Sequence, residues 1–425
     1  MTRHSLQTRT AAEPELAEQF AATQGALPAL DREASFRLFA ATGLPTRRDE
    51  AWHYTDLRSL FANAAPLASA PGAPAIAAAK LALAERARAG AVTLAIVDGR
   101  YIPQLSDAPP HGVSVASLAL VGRPAGANAN VDPLFALNGA LAQGGCVIAF
   151  EAGAKPAERI EIVHFMSAGP TKSVHSRVFI DIGASAQARI VESFLGARAG
   201  DQRNVATVLD LADDAKADHT VIIGDQAGLH IESQLARLGD RAEFSAFSLV
   251  AGGTLARRQI FATLAGQYAN LALSGLSLLD GRRHADTTLV VDHAAPHGQS
   301  REFYKHIVAD EATGIYQGKV VVQPGAQKTD GGMKSQAILL SPHAVMNNKP
   351  ELEIFADDVI CGHGATVGAL DPEQTFYLQA RGLPKAEAEA MLLEAFGADA
   401  IARVADEDLA ELLRDKMRGW LQARG

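Results

Sequence analysis

The residues best suited to chemistry lie in one stretch, Pro350 to Asp371, which reads PELEIFADDVICGHGATVGALD. Cys361 and His363 stand two positions apart, so an extended backbone sends both side chains to the same side, with Gly362 permitting close approach between them. Thiolate and neutral imidazole both coordinate iron, and a carboxylate such as Glu353 or Asp358 supplies an oxygen or tunes a neighbouring base. Two such residues do not complete a site, so a metal or cluster held here needs ligands from elsewhere, another subunit included. The same pair fits a second chemistry, a Cys–His nucleophilic dyad in a sulfur-handling enzyme, which needs imidazole within hydrogen-bond reach of sulfur and an oxyanion pocket. The plainest alternative is that Cys361 is a small buried hydrophobe.

Other motifs are weaker. Cys146 and Cys361 are far apart and form no CxxC knuckle, which argues against both a disulfide framework and a zinc site. HEXXH, GxSxG and the phosphate-loop pattern are missing, and AGGTLARRQ lacks the required lysine. His293 and His297 are spaced like one helical turn, but Pro296 makes them loop residues. His53, between Trp52 and Tyr54, reads as packed or surface, and near His306 the cations Arg301 and Lys305 balance local acids.

With 425 residues, 48% of them hydrophobic and 20% charged, the chain can bury a sizeable core. A net charge of -9 argues against nucleic acid as a partner. The opening MTRHSLQTRTAAEPELAEQF offers no signal-peptide core, and no segment has the apolar length to span a bilayer, so the expectation is a soluble cytoplasmic protein without membrane contact.

Helical spacing runs from Leu30 to Ala41, an alanine-rich helix follows Pro71 and Pro74 to about Arg88, and Val92 to Val97 form a strand before an Asp98-Gly99 turn. From about Gly145 short alternating segments succeed one another (CVIAF, ERIEIVHF, SRVFIDI, LHIESQL, DTTLVVDH) past residue 320 without long helices. So long a series outruns one immunoglobulin-like sandwich and lacks a propeller signature, which leaves stacked β coils that cover one another's edges. After Leu370 the period turns helical again: one helix starts near Pro384 and stops at Gly397, and a second carries Leu409, Leu413, Met417 and Trp420. The expected organisation is a mixed helical and strand region over 1–130, a mainly β core over 131–370 and a helical end over 371–425. A carbohydrate-binding β-helix would need an exposed aromatic ladder, which the strand runs lack.

The run from Gly314 to Pro384 strongly resembles the SufB/SufD family of iron–sulfur cluster assembly proteins. Gln327-Lys328-Thr329-Asp330, Pro350-Glu351-Leu352-Glu353-Ile354, Asp357-Asp358-Val359, Gly362-His363-Gly364-Ala365-Thr366 and Phe376-Tyr377-Leu378-Gln379-Ala380-Arg381-Gly382 carry the likeness. Trp52-His53-Tyr54-Thr55-Asp56 is similar to the family's aromatic segment. Gly364 follows His363 where the SufB branch places glutamate, and no cysteine falls between 147 and 360, which places this chain in the branch that partners SufB. The resemblance implies a right-handed parallel β-helix core and a complex with one SufB-like subunit and two SufC-like ATPases, the C-terminal helices binding SufC and the late β-helix pairing with SufB. It allows a homodimer when the chain is isolated. It makes His363 the leading candidate for a ligand of a transient iron or iron–sulfur cluster shared with the SufB-like subunit, or for a proton-handling group at that interface, and Cys361 a secondary candidate for a transient sulfur or iron contact. By the same resemblance the chain is a scaffold rather than an enzyme, with no permanent cofactor when isolated.

Overall fold

The computed structural model describes residues 11–23, 32–86, 90–121 and 132–424. Leu30, the expected helix end at Arg88 and the expected boundary at 130 and 131 lie outside them. Alternation of apolar and polar side chains makes each short segment a strand with one face to bury. The strands solve that requirement by stacking: each pairs in parallel with the strand two places further along the chain, giving a ten-stranded and a nine-stranded sheet that face one another. Two strands make one coil of a β-solenoid, and the inward rows of both sheets fill its lumen with Ile, Leu, Val and Ala. Among the described residues antiparallel pairing occurs only at the first end, where Val97 opposes Arg100 and Val113 opposes Phe150. No helix among the described residues is long and apolar enough to cross a membrane.

The register positions that open successive coils on one sheet are Gln187, Lys216, Glu243, Asn270, Gln299, Asp330 and Ile360. Two residues before each of the first six, the corner needs a left-handed backbone, and Ser185, Asp214, Arg241, Tyr268, His297 and Lys328 all adopt φ between 55° and 63°. The last three coils bear on the candidate site. They comprise β1 (Gln299–Val308), β2 (Thr313–Val322), β3 (Asp330–Leu339), β4 (Val345–Ile354) and β5 (Ile360–Gly368). The two sheets end at β4 and β5, each with a neighbour on one side only.

Both outer faces are covered for most of their length. The helix α1 (Pro133–Leu141) starts on Asp132, whose carboxylate accepts from the Leu134 and Phe135 amides, and it is buried from Leu134 to Leu141 on the nine-stranded sheet. At the other sheet, α2 (Lys385–Ile401) and α3 (Glu407–Gln422) bury Leu393, Ile401, Leu409, Leu413 and Met417 against Phe247, Leu249, Leu276 and Ile307. The expected helix stop at Gly397 is corrected: α2 continues to Ile401, and glycine stands there because a Cβ would collide with the Met417 sulfur of α3. His293 is likewise corrected from a loop to the last residue of a strand, fully buried, with Nε2 3.1 Å from the Ser300 hydroxyl.

The lumen is not purely apolar. Glu302, on the inward row of β1, is 2% exposed, and among the described residues its carboxylate oxygens accept no hydrogen bond of regular geometry. Burial raises this carboxyl to about 7, with the Ser300 hydroxyl and Arg301 opposing only part of the effect. A folded-state pKa above the unfolded one, ~4.3 for glutamate, means the native chain holds a proton that the unfolded chain releases. Stability therefore falls as pH rises through that window. Glu302→Gln is expected to flatten this fall, gaining on the order of 2–3 kcal/mol over wild type at pH 8 and little in mild acid. Urea unfolding at both pH values checks it, and parallel curves for the two proteins would refute it.

Candidate functional site

The site is built by register. In the parallel pairing of β5 with β3, Cys361 lies opposite Gly331 and His363 opposite Met333. One coil further in, Gly331 faces Ser300 and Met333 faces Glu302. Cys361 and His363 therefore continue two inward rows of the lumen and share a face, as an extended backbone requires. Because β5 is the last strand of its sheet, the pair stands at an uncovered end, with Cys361 half-buried and His363 exposed. Gly331 leaves space beneath the sulfur: a Cβ there would lie 3.4 Å from Cys361 Sγ and 3.6 Å from Ser300 Oγ.

Gly364 falls on the other face of β5, next to Lys334 in register, so a side chain at that position would point away from the His363 row. Nor do the acids join the pair. Glu353 belongs to β4, in the opposite sheet, facing outward, where Lys319 Nζ meets it at 2.6 Å. Asp358 sits at the corner before β5, in contact with the Lys328 ammonium. Among the described residues no three of His, Cys, Asp and Glu come together in a way that could hold a metal ion. Cys361 and His363 can thus offer one sulfur and one nitrogen to a metal that other ligands must complete.

A nucleophilic dyad fits less well. An activated cysteine has a depressed pKa, whereas burial raises the Cys361 thiol, Asp330 and Glu302 add to the rise, and the Gly331 amide offsets part of it. Cys146 is fully buried, and its thiol is pushed far up by burial and, to a lesser extent, by Glu192. A thiol-alkylating reagent should consequently label one cysteine per native chain, Cys361, and two in denaturant. Labelling of both at equal rates in the folded protein would contradict this placement.

Of the remaining histidines, His53 is exposed, Nδ1 3.2 Å from the Arg47 carbonyl oxygen, while His297 stacks on Tyr268 at a solenoid corner, ring centroids 4.5 Å apart. Lys305 and Arg301 do balance acids, Asp399 at 2.8 Å and Asp330 at 2.6 Å. Sequence reasoning missed Gly331 and Ser300 beneath Cys361. Their signal would have been the coil interval, which links residues thirty and sixty-one positions before Cys361 to one row.

Two family models together match nearly the whole chain: the SufBD protein N-terminal region over residues 15–162, and the SUF system FeS cluster assembly SufBD core domain over residues 164–396. The chain belongs to the SufBD family. It is 32% identical over 384 residues to iron–sulfur cluster assembly protein SufD of Escherichia coli, covering 87% of this chain and 88% of that one. An iron–sulfur cluster assembly SufBD family protein of Synechocystis is 28% identical over 407 residues, 90% of this chain and 89% of the relative. A chloroplastic protein of Arabidopsis thaliana, ABCI7, is 30% identical over 251 residues, 58% of this chain and 52% of its own. Within this SufBD chain the core match contains both Cys361 and His363.

Proposed function

We propose that this SufBD chain is a non-catalytic scaffold subunit of a cytoplasmic iron–sulfur cluster assembly complex, contributing half of a cluster site completed by a SufB-like partner. The observation that carries the reading is the position of Cys361 and His363, side by side on the inward face of the last strand, where a second protein can reach them. Around them Ile354, Phe355, Ile360 and Val367 are 41–76% exposed. An uncovered pair of edge strands with apolar neighbours is an invitation to pairing, which monomers ordinarily avoid.

In this reading His363 is the leading ligand for the cluster or its iron, Cys361 a secondary one, and the cluster is cargo rather than a resident cofactor. Residues 371–425 form the region that binds a SufC-like ATPase, residues 131–370 the scaffold core and residues 1–130 the variable N-terminal part. The assembly holds one SufB-like, one SufD-like and two SufC-like subunits, and ATP hydrolysis belongs to the SufC-like partner. A shell shared between two chains reopens more readily than four cysteines on one, which suits a cluster that must be passed on.

The test mixes this chain with SufB-like and SufC-like partners, and measures complex formation by size and cluster formation by absorbance as separate quantities. The reading expects a defined complex whose cluster yield depends on this chain. Equal yield without it, or no association with either partner, would sink the proposal.

A further inference from the structure

Between the outer face of the ten-stranded sheet and the turn joining α2 to α3 lies a cleft of about 120 Å³. Its floor is made of small residues, Ser245, Ala272 and Ser274, and its walls include Phe247 and Phe303. Register explains the charge at its ends: one outward row of the sheet runs Arg189, Asp218, Ser245, Ala272, Arg301. Arg159 stands beside this row, and Arg403 descends from the helix turn.

The cations are not all neutralised. Arg159 is paired with Asp406 at 2.7 Å, and Arg301 with Asp330 at 2.6 Å. Asp406 is further used as the cap of α3, accepting from the Leu409 amide at 3.0 Å. Arg189 donates to the Ala157 carbonyl oxygen, and neither it nor Arg403 has a carboxylate within ion-pair distance among the described residues. The Arg403 guanidinium lies 4.6 Å from the centre of the Phe303 ring, which Lys305 and Lys334 also flank at 5.6 and 5.9 Å. Since Arg159 is held by Glu161 at 2.9 Å as well as by Asp406, and Arg301 by Asp330, the positive charge left on this wall is that of Arg189 and Arg403, offset in part by Asp218.

We propose that the cleft binds a small, multiply charged oxyanion of the phosphate or polycarboxylate class, held between Arg189 and Arg403. Guanidinium groups present parallel N–H donors that match such anions, and phenylalanine walls lower the local dielectric and strengthen the contact. The small floor residues admit the ligand, and the volume is below the ~300 Å³ at which pockets take drug-sized molecules. Because Arg403 belongs to the α2–α3 turn and Arg189 to the solenoid, the bound anion ties the helical end to the core. Asp218 works against it. Its carboxyl is raised by burial, with Arg189 opposing and Asp406 and Glu243 adding to the rise, and it faces the same space.

Titration calorimetry on the full chain, with inorganic phosphate and with citrate as separate probes, tests this. Binding of at least one of them at millimolar or lower concentration is expected, weakening with added salt. Arg403→Ala should weaken binding about tenfold, the loss of one charge-assisted contact. Asp218→Asn should tighten it several-fold, a change of opposite sign that no general loss of folding can imitate. Both anions failing to bind wild type, or the two variants moving affinity in the same direction, would overturn the assignment.

Discussion

His363→Ala is expected to lower cluster yield in the assembled complex by about 10- to 100-fold or more, since even residues that only support a ligand cost that much in metal affinity. Folding should not change: the side chain is exposed, caps the last row of the lumen and packs under nothing, and such surface changes stay within ~0.5 kcal/mol. Complex formation should also survive, because β5 offers its partner a backbone edge that alanine keeps. Cys361→Ala should show a smaller loss, sulfur being half-buried and its thiol harder to ionise. His363→Cys, which restores a ligand of another type, should recover part of the yield. A normal yield from an intact His363→Ala complex would remove this residue from the chemistry. If the complex itself failed to form, the residue would instead be a packing element of the interface.

The shared face of Cys361 and His363 could be read from one sequence because its grammar is local. A two-residue spacing on an extended strand fixes the shared face of Cys361 and His363 without any knowledge of what lies beneath. The β character of the core was legible for the same reason, alternation within each segment. The repeat was not, and the corners show why. The left-handed position before six successive coils, which glycine or asparagine usually marks, is filled by Ser185, Asp214, Arg241, Tyr268, His297 and Lys328, six different residue types. Coil lengths also drift, from the 27 residues between Glu243 and Asn270 to the 31 between Gln299 and Asp330, so no fixed period survives. Gly397 misled for the opposite reason. Its purpose is close contact with Met417 on another helix, and sequence spacing cannot distinguish that from a helix stop.

Nor could spacing reveal what fastens the N-terminal region to the solenoid, because the partners are more than two hundred residues apart. Trp52, in the segment first noticed for its aromatics, stacks on Arg257, whose guanidinium carbon is 3.7 Å from the ring centre. Arg257 is fully buried, donates to the Asp286 carboxylate at 2.5 Å and to the Ala51 carbonyl oxygen at 2.8 Å, and meets Gln259 at 3.2 Å. Asp286 also accepts from the Thr55 hydroxyl at 2.5 Å and Thr288 at 2.9 Å. Burying both charges is worthwhile only with every donor and acceptor matched, so removing one partner strands the other in a low dielectric.

Arg257→Ala should therefore cost about 3–5 kcal/mol, a large part of the ~5–15 kcal/mol that holds a typical domain together. Since the lost contacts reach Trp52, Ala51 and, through Asp286, Thr55, release of this segment should precede unfolding of the coils. In a Trp420→Phe background, which leaves Trp52 as the sole tryptophan, fluorescence should change at lower urea than the circular dichroism of the sheets. Joint replacement, Arg257→Met with Asp286→Leu, should cost less than either truncation alone, because no charge is then left unpaired. Additive losses in that double variant would mean that the residues act by packing and not as a pair, and coincident transitions would mean that the segment and the solenoid unfold as one.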